Sequence, residues 1–153
     1  MNQGTLQRFV SAQDAGGTYA RAMRELVSGH KESHWMWFIF PQVAGLGHSS
    51  TSRRYALSSL VEARAYLDHP VLGPRLEAAC ATLRVSGERG AQQIFGPLDA
   101  QKLRSSLTLF CRAAPDNPVF AQLLEQYFQG QPDAATDQIL LAHPAGGAAD
   151  AME

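Results

Sequence analysis

The chain has 153 residues, 45% of them apolar and 18% charged, with a formal net charge of -1. That length suits one soluble domain, able to bury roughly 70% of its unfolded surface without staples. The near-zero charge excludes a bulk duplex-DNA binder and a polybasic membrane anchor.

The opening MNQGTLQRFVSAQD lacks the charged-then-apolar run of a secretory signal, and no later stretch approaches the ~18 apolar residues of a spanning helix. The expectation is a cytoplasmic chain with no membrane contact. Leu6, Phe9 and Val10 form a first helical face, and Tyr19, Met23 and Leu26 with Val27 form a second, stopped by Gly29. Ser59-Leu-Val-Glu62 reads as a capping box that opens a helix through Leu67. Asp68 is expected to cap the next, with Pro70 and Pro74 near its start and Leu72, Leu76, Cys80 and Leu83 at helical spacing to Val85. Asp99 is expected to cap a helix with Leu103, Leu107 and Phe110 on its buried face. Asn117-Pro118 opens another, which Gly130 ends, and Asp133 or Thr136 starts the last. No period-2 strand appears. The reading is an all-α single domain of about seven or eight short helices over residues 1–141, with an Ala/Gly/Pro-rich tail over 142–153 expected to be disordered.

The net charge conceals an asymmetry. Residues 1–116 hold all 13 Lys and Arg against nine acids, while residues 117–153 hold five acids and no base. An anionic ligand is therefore sought on the earlier part of the chain. Eleven of the 13 bases are Arg, and the only two lysines, Lys31 and Lys102, each sit beside an unusual motif. In so Arg-biased a chain, a retained Lys hints at a compact point charge.

The densest motif is Gly29 to Tyr55. Four of the 13 aromatics, Trp35, Trp37, Phe38 and Phe40, fall within six residues, both tryptophans among them. One reading is a core helix or turn stopped by Pro41. The other is an apolar pocket wall, with Lys31, Ser33, His34 and Gln42 as the flanking polar groups that orient a ligand. Beyond it, Gly45-Leu-Gly47, His48-Ser-Ser-Thr-Ser52 and Arg53-Arg54 have the composition of a phosphate cradle: free backbone, hydroxyls at a helix start and guanidinium forks. They also match a plain capped turn. Neither a dinucleotide fingerprint nor a P-loop is present, since Ser50 stands where a third glycine would fall and no Gly-Lys-Ser/Thr follows. A second cluster, Asp99, Lys102, Ser105 and Ser106, lies on one helix with the lysine and serines on a shared side. Ser105, Ser106 and Thr108 carry a helix-propensity cost that a polar contact or a backbone bond offsets. There is no serine-hydrolase elbow. No His or Cys spacing suits a protein-built metal site, so no metal and no cofactor is expected, and Cys80 and Cys111 read as two buried thiols.

Several of these segments carry a resemblance. Leu6-Gln-Arg-Phe-Val-x-Ala-Gln-Asp14, Gly29-x-Lys-x-Ser-His-Trp-Met-Trp-Phe-Ile-Phe-Pro-Gln42, Gly45-Leu-Gly47, Glu62-Ala-Arg-Ala-Tyr-Leu-x-His-Pro-Val-Leu-Gly-Pro-Arg-Leu76, Ile94-Phe-Gly96 and Lys102-Leu-Arg-Ser-Ser-x-Thr-Leu-Phe110 resemble the bacterial "domain of unknown function 1810" family. The similarity runs over about residues 5–141. It implies a mainly helical single domain and no established reaction. The calpastatin-like label sometimes given to the family does not suit a compact, aromatic-rich chain, because calpastatin is long and disordered. A more distant likeness is to helical NAD- and ADP-ribose-associated domains, whose acidic catalytic pattern does not align here.

The expected function is binding of a phosphorylated small molecule, a nucleotide such as ADP-ribose being one form, with hydrolysis of an N-glycosidic or phosphate-ester bond if the chain is an enzyme. Trp35 or Trp37 would stack on a ring, Lys31, Arg53, Arg54 and Lys102 would neutralise phosphate, and Ser33, Gln42 and Ser105 would add hydrogen bonds. His34 or Asp99 would carry the proton. The alternative is a protein-interaction module that docks through the aromatic block. Single-stranded nucleic acid is disfavoured by the net charge, and no feature fixes the oligomeric state.

Overall fold

The computed structural model describes residues 3–86 and 90–142, so the tail expected over 142–153 lies outside the described residues except for Ala142, which ends the last helix. Among them the chain forms ten α-helices: α1 (Gln3–Asp14), α2 (Thr18–Ser28), α3 (Met36–Ile39), α4 (Ser50–Arg54), α5 (Leu60–Asp68), α6 (Leu72–Val85), α7 (Ala91–Phe95), α8 (Pro97–Ala113), α9 (Val119–Phe128) and α10 (Ala134–Ala142). A 3-10 turn over Ala15–Gly17 joins the first two. The protein is all-α. Seven of the helices have nine or more residues, and these are the ones that hydrophobic periodicity and capping residues find together; α3, α4 and α7, of four or five residues, are too short to show a period.

The 17-residue α8 is the axis of the fold and packs against α3, α5, α7, α9 and α10. From Leu103 to Phe110 only Arg104 escapes burial, so the helix is covered nearly all round, as a central helix must be. Its internal hydroxyls follow two fates. Ser105 and Thr108 bond to the carbonyls of Gln101 and Arg104 and also reach Asp133 before α10. Ser106 does not share their side; its buried Oγ has no partner. On the far side α6 packs on α2, α5 and α9. Gly73 makes the α5–α6 approach possible, since a Cβ there would lie 2.1 Å from the Leu67 carbonyl oxygen.

Two expected helix starts are corrected, and one expected capping box forms only in part. Asp68 does not cap α6; His69 Nδ1 accepts from the amides of Val71 and Leu72 at 3.1 and 3.2 Å. Asp99 sits inside the first turn of α8, whose N-cap is Gly96, because Pro97 with its fixed φ begins the helix two residues earlier. In α5 the Ser59 hydroxyl accepts from the Glu62 amide as expected, but Glu62 Oε1 accepts from Ser58 N rather than Ser59 N. Asp133, not Thr136, starts α10, with Oδ2 accepting from Thr136 N at 3.0 Å.

Among the described residues the extended pairing amounts to one isolated parallel bridge, Val43 with Leu57. Leu57 N donates to Gln42 O at 2.9 Å and Ala44 N to Leu57 O at 2.8 Å. This bridge closes the 44–56 segment into a loop that carries α4. Arg8 of α1 pins the loop's return, its Nε donating to Arg54 O at 2.6 Å and its Nη2 to Ala56 O at 2.8 Å. No described helix is long and apolar enough to cross a membrane.

Candidate functional site

The aromatic block divides between core and cavity. It is not one helix: a single turn, α3, carries Met36–Ile39 and ends at Phe40, before Pro41. Trp35, Met36, Ile39 and Phe40 are buried, Trp35 against Phe40 and Phe95 at ring separations of 6.4 Å each. Trp37 and Phe38 are half-buried. Phe38 meets Tyr55 edge to face at 4.7 Å, while Trp37 walls a cavity.

A hidden acid holds the first half of the block. Gly29 ends α2 in the left-handed region, φ 78°, and turns the chain back over the last turn of that helix. Glu25, in that turn, accepts from Glu32 N at 2.8 Å, Ser33 N at 3.0 Å, Ser33 Oγ at 2.5 Å and the Trp35 indole Nε1 at 2.8 Å. Burial alone would raise its carboxyl, but the bonds from Ser33, Glu32 and Trp35 outweigh that and bring it down to about 2. Sequence reading missed Glu25. The available signal was its position on the last turn before a Gly stop, within reach of a turn that must supply donors.

The two lysines and two tryptophans of the chain meet around one carboxylate. Lys31 Nζ lies 2.8 Å from Asp99 Oδ2 and Lys102 Nζ 3.2 Å from Asp99 Oδ1. Lys31 Nζ also stands 5.0 Å from the centre of the Trp35 ring, and Lys102 Nζ 5.1 Å from that of Trp37. Lys31 is almost fully enclosed, at 6% side-chain accessibility, and donates as well to Ser33 O; Lys102 keeps 25%. Burial by itself raises the Asp99 carboxyl, yet the bonds and charges of Lys31 and then Lys102 hold it below the ordinary carboxylate range. Two ammonium groups share one carboxylate. The cluster carries a formal +1, and its less buried member is Lys102.

Lys102 opens onto a cavity of about 430 Å3 between the 42–56 loop, α8 and the start of α10. Trp37, Gln42, Lys102 and Ser105 line it, all expected site residues, together with residues 45–49, Ser52, Tyr55, Gln101 and Asp133. The expected phosphate cradle is thus part of its wall. Ser49 caps α4 by accepting from Ser52 N at 3.0 Å and bonds Ser52 Oγ at 3.0 Å. Other expected residues are placed elsewhere. Arg53 and Arg54 are exposed and do not line the cavity; the Arg54 guanidinium lies 5.6 Å from the centre of the Tyr55 ring. His34 is exposed and outside the lining. Lys31, Ser33 and Trp35 stand behind the wall, joined to it through Asp99. Cys80 is buried, its thiol pushed up to about 12 by burial and then by Glu77, and Cys111 is half-buried.

A family model described as "Protein of unknown function (DUF1810)" matches residues 3–140. Among solved structures, the conserved hypothetical protein Rv1873 from Mycobacterium tuberculosis is similar, with 46% identity and a TM-score of 0.85, covering 89% of this chain and 96% of that one. The comparison with curated proteins returns no match. The more distant likeness to ADP-ribose-associated domains finds no support among these results. With the model matched over nearly the whole helical body, this chain belongs to the DUF1810 family of proteins of unknown function.

Proposed function

We propose that the protein binds a phosphorylated small molecule in the cavity beside Trp37, with nucleotides, ADP-ribose among them, as candidate ligands. The observation that supports this most is the cluster of two lysines on one aspartate, whose accessible ammonium, Lys102, stands on the cavity wall next to an indole face. An incoming phosphate balances the surplus charge, and a ring or sugar face packs on Trp37. A volume of about 430 Å3 falls in the lower half of the range for small-molecule sites.

Binding is favoured over hydrolysis. Asp99 is held ionised between two ammonium groups, which suits a charge bridge and not a proton donor, and His34 lies outside the cavity lining. Docking a protein through the aromatic block would need exposed rings, whereas two of the four are buried and two half-buried.

Calorimetric titration with inorganic phosphate, AMP and ADP-ribose tests the reading. At least one of these should bind the wild type, and Lys102→Met, which keeps the apolar stem and removes the charge, should weaken it by about tenfold or more. Absence of binding, or binding indifferent to Lys102→Met, overturns it.

A further inference from the structure

The cavity has a second chemical pole, opposite in sign to Lys102. Leu98, Gln101, Lys102 and Ser105 recur at three- and four-residue spacing and line the cavity as one stripe of α8. At about 1.5 Å rise per residue, Ser105 lies about 4.5 Å further along the helix than Lys102. The stripe runs from Leu98, 78% accessible, to Ser105 at 3%.

At its enclosed end stands Asp133, 7% accessible and also on the cavity wall. Its Oδ2 accepts from Ser105 Oγ at 3.0 Å, Thr136 N at 3.0 Å and Thr136 Oγ1 at 2.5 Å. Its Oδ1 accepts from Gln101 Nε2 at 2.9 Å. All four donors are neutral. Among the described residues no Lys or Arg forms an ion pair with Asp133, so this enclosed carboxylate is supported by hydrogen bonds alone. Oδ2 is saturated with three donors. Oδ1 holds one, from a solvent-exposed glutamine, and a carboxylate oxygen has room for a second.

We infer that the cavity is bipolar and selects phosphomonoesters that carry free hydroxyl groups, the class shared by sugar phosphates and nucleoside monophosphates. The phosphate meets Lys102, and a hydroxyl of the same molecule donates to Asp133 Oδ1. Ser105 and Gln101 stand between the two poles as neutral hydrogen-bonding groups, which suits hydroxyls, and the face of Trp37 suits the apolar side of a sugar ring. This inference rests on the phosphate-binding reading above and adds the donor requirement.

Calorimetry of the full chain with ribose 5-phosphate, AMP, ethyl phosphate and phosphoethanolamine separates the two claims. Ribose 5-phosphate or AMP should bind about tenfold or more tightly than ethyl phosphate, as one hydrogen bond to a charged acceptor implies. The tighter of the two identifies the member of the class. In Asp133→Asn, which retains an oxygen to cap α10, the ratio of ribose 5-phosphate or AMP affinity to ethyl phosphate affinity should fall to about one, while ethyl phosphate itself binds at least as tightly as to the wild type because a like charge is gone from the cavity. Lys102→Met should weaken all four ligands. The comparison among ligands on the wild type stands even if Asp133→Asn fails to fold. Equal affinity for ribose 5-phosphate, AMP and ethyl phosphate overturns the donor pole and leaves the phosphate reading intact. Preference for phosphoethanolamine also overturns it, by putting an ammonium where a hydroxyl is inferred. Absence of binding by every ester removes this inference, and the phosphate reading falls with it when inorganic phosphate and ADP-ribose also fail to bind.

Discussion

The turn from Lys31 to Trp35 and the cavity beside Trp37 are built from similar residues and end in opposite states. In the turn, polar groups are consumed internally: Glu25 takes four donors, among them the Trp35 indole, and Lys31 is spent on Ser33 and Asp99. Around Trp37 the same residue types, a Lys over an indole with Ser and Gln nearby, enclose open space. Aromatic and polar density in a sequence therefore marks two different things. A satisfied knot gives rigidity, and an incompletely satisfied wall gives a place for a ligand. Here the knot stands directly behind the wall, and Asp99 couples them.

If that contrast is sound, substitutions in the knot cost stability and substitutions in the wall cost binding. Trp35→Ala should have the largest effect, about 3–5 kcal/mol in urea unfolding, since it empties a fully buried site packed by Phe40 and Phe95. A loss under about 1 kcal/mol would break the comparison. Glu25→Gln should follow at about 1–3 kcal/mol, because the charge that several donors share is gone. It also has a pH signature. A carboxyl brought from its ordinary 4.5 down to about 2 stabilises fully above the ordinary value, and that contribution is lost as pH falls through about 2. Wild-type stability should therefore decline across that interval more steeply than that of Glu25→Gln, and parallel profiles would sink the assignment.

Arg8→Ala lies between the two classes. It removes two bonds to carbonyls of the 42–56 loop and should cost about 1–2 kcal/mol by thermal unfolding. Amide exchange at residues 44–56 should accelerate more than elsewhere; uniform acceleration would mean that Arg8 does not hold the cavity wall. Lys102→Met should have the smallest effect on stability, within about 1 kcal/mol, because its ion pair is partly exposed. The same variant is the one expected to lose ligand. A large destabilisation would place Lys102 in the knot and erase the distinction.

Much of the helical framework was legible from local pattern. The Gly29 stop, the Ser59 cap and the Asn117-Pro118 start each act through atoms within a few residues, so sequence reasoning reaches them. It failed at Asp68 and Asp99 for a related reason: each stands close to a helix start, but a nearby His69 or Pro97 sets the start instead. In the candidate site, Trp37, Gln42, Lys102 and Ser105 were legible as polar and aromatic neighbours of two motifs. Arg53 and Arg54 fall outside the cavity lining, because α4 is one turn long and composition does not say which way so short a helix faces.

The sequence by itself determined an all-α chain, its longer helices, and a surplus of positive charge over residues 1–116. These follow from periodicity, capping and counting, which act over a few residues. Tertiary structure alone decided which tryptophan is core and which is wall, that Lys31 and Lys102 converge on Asp99 from positions 71 residues apart, and that Glu25 and Asp133 hold the two ends of the arrangement. Burial and pairing are properties of packed helices, and the pairs that matter are distant along the chain.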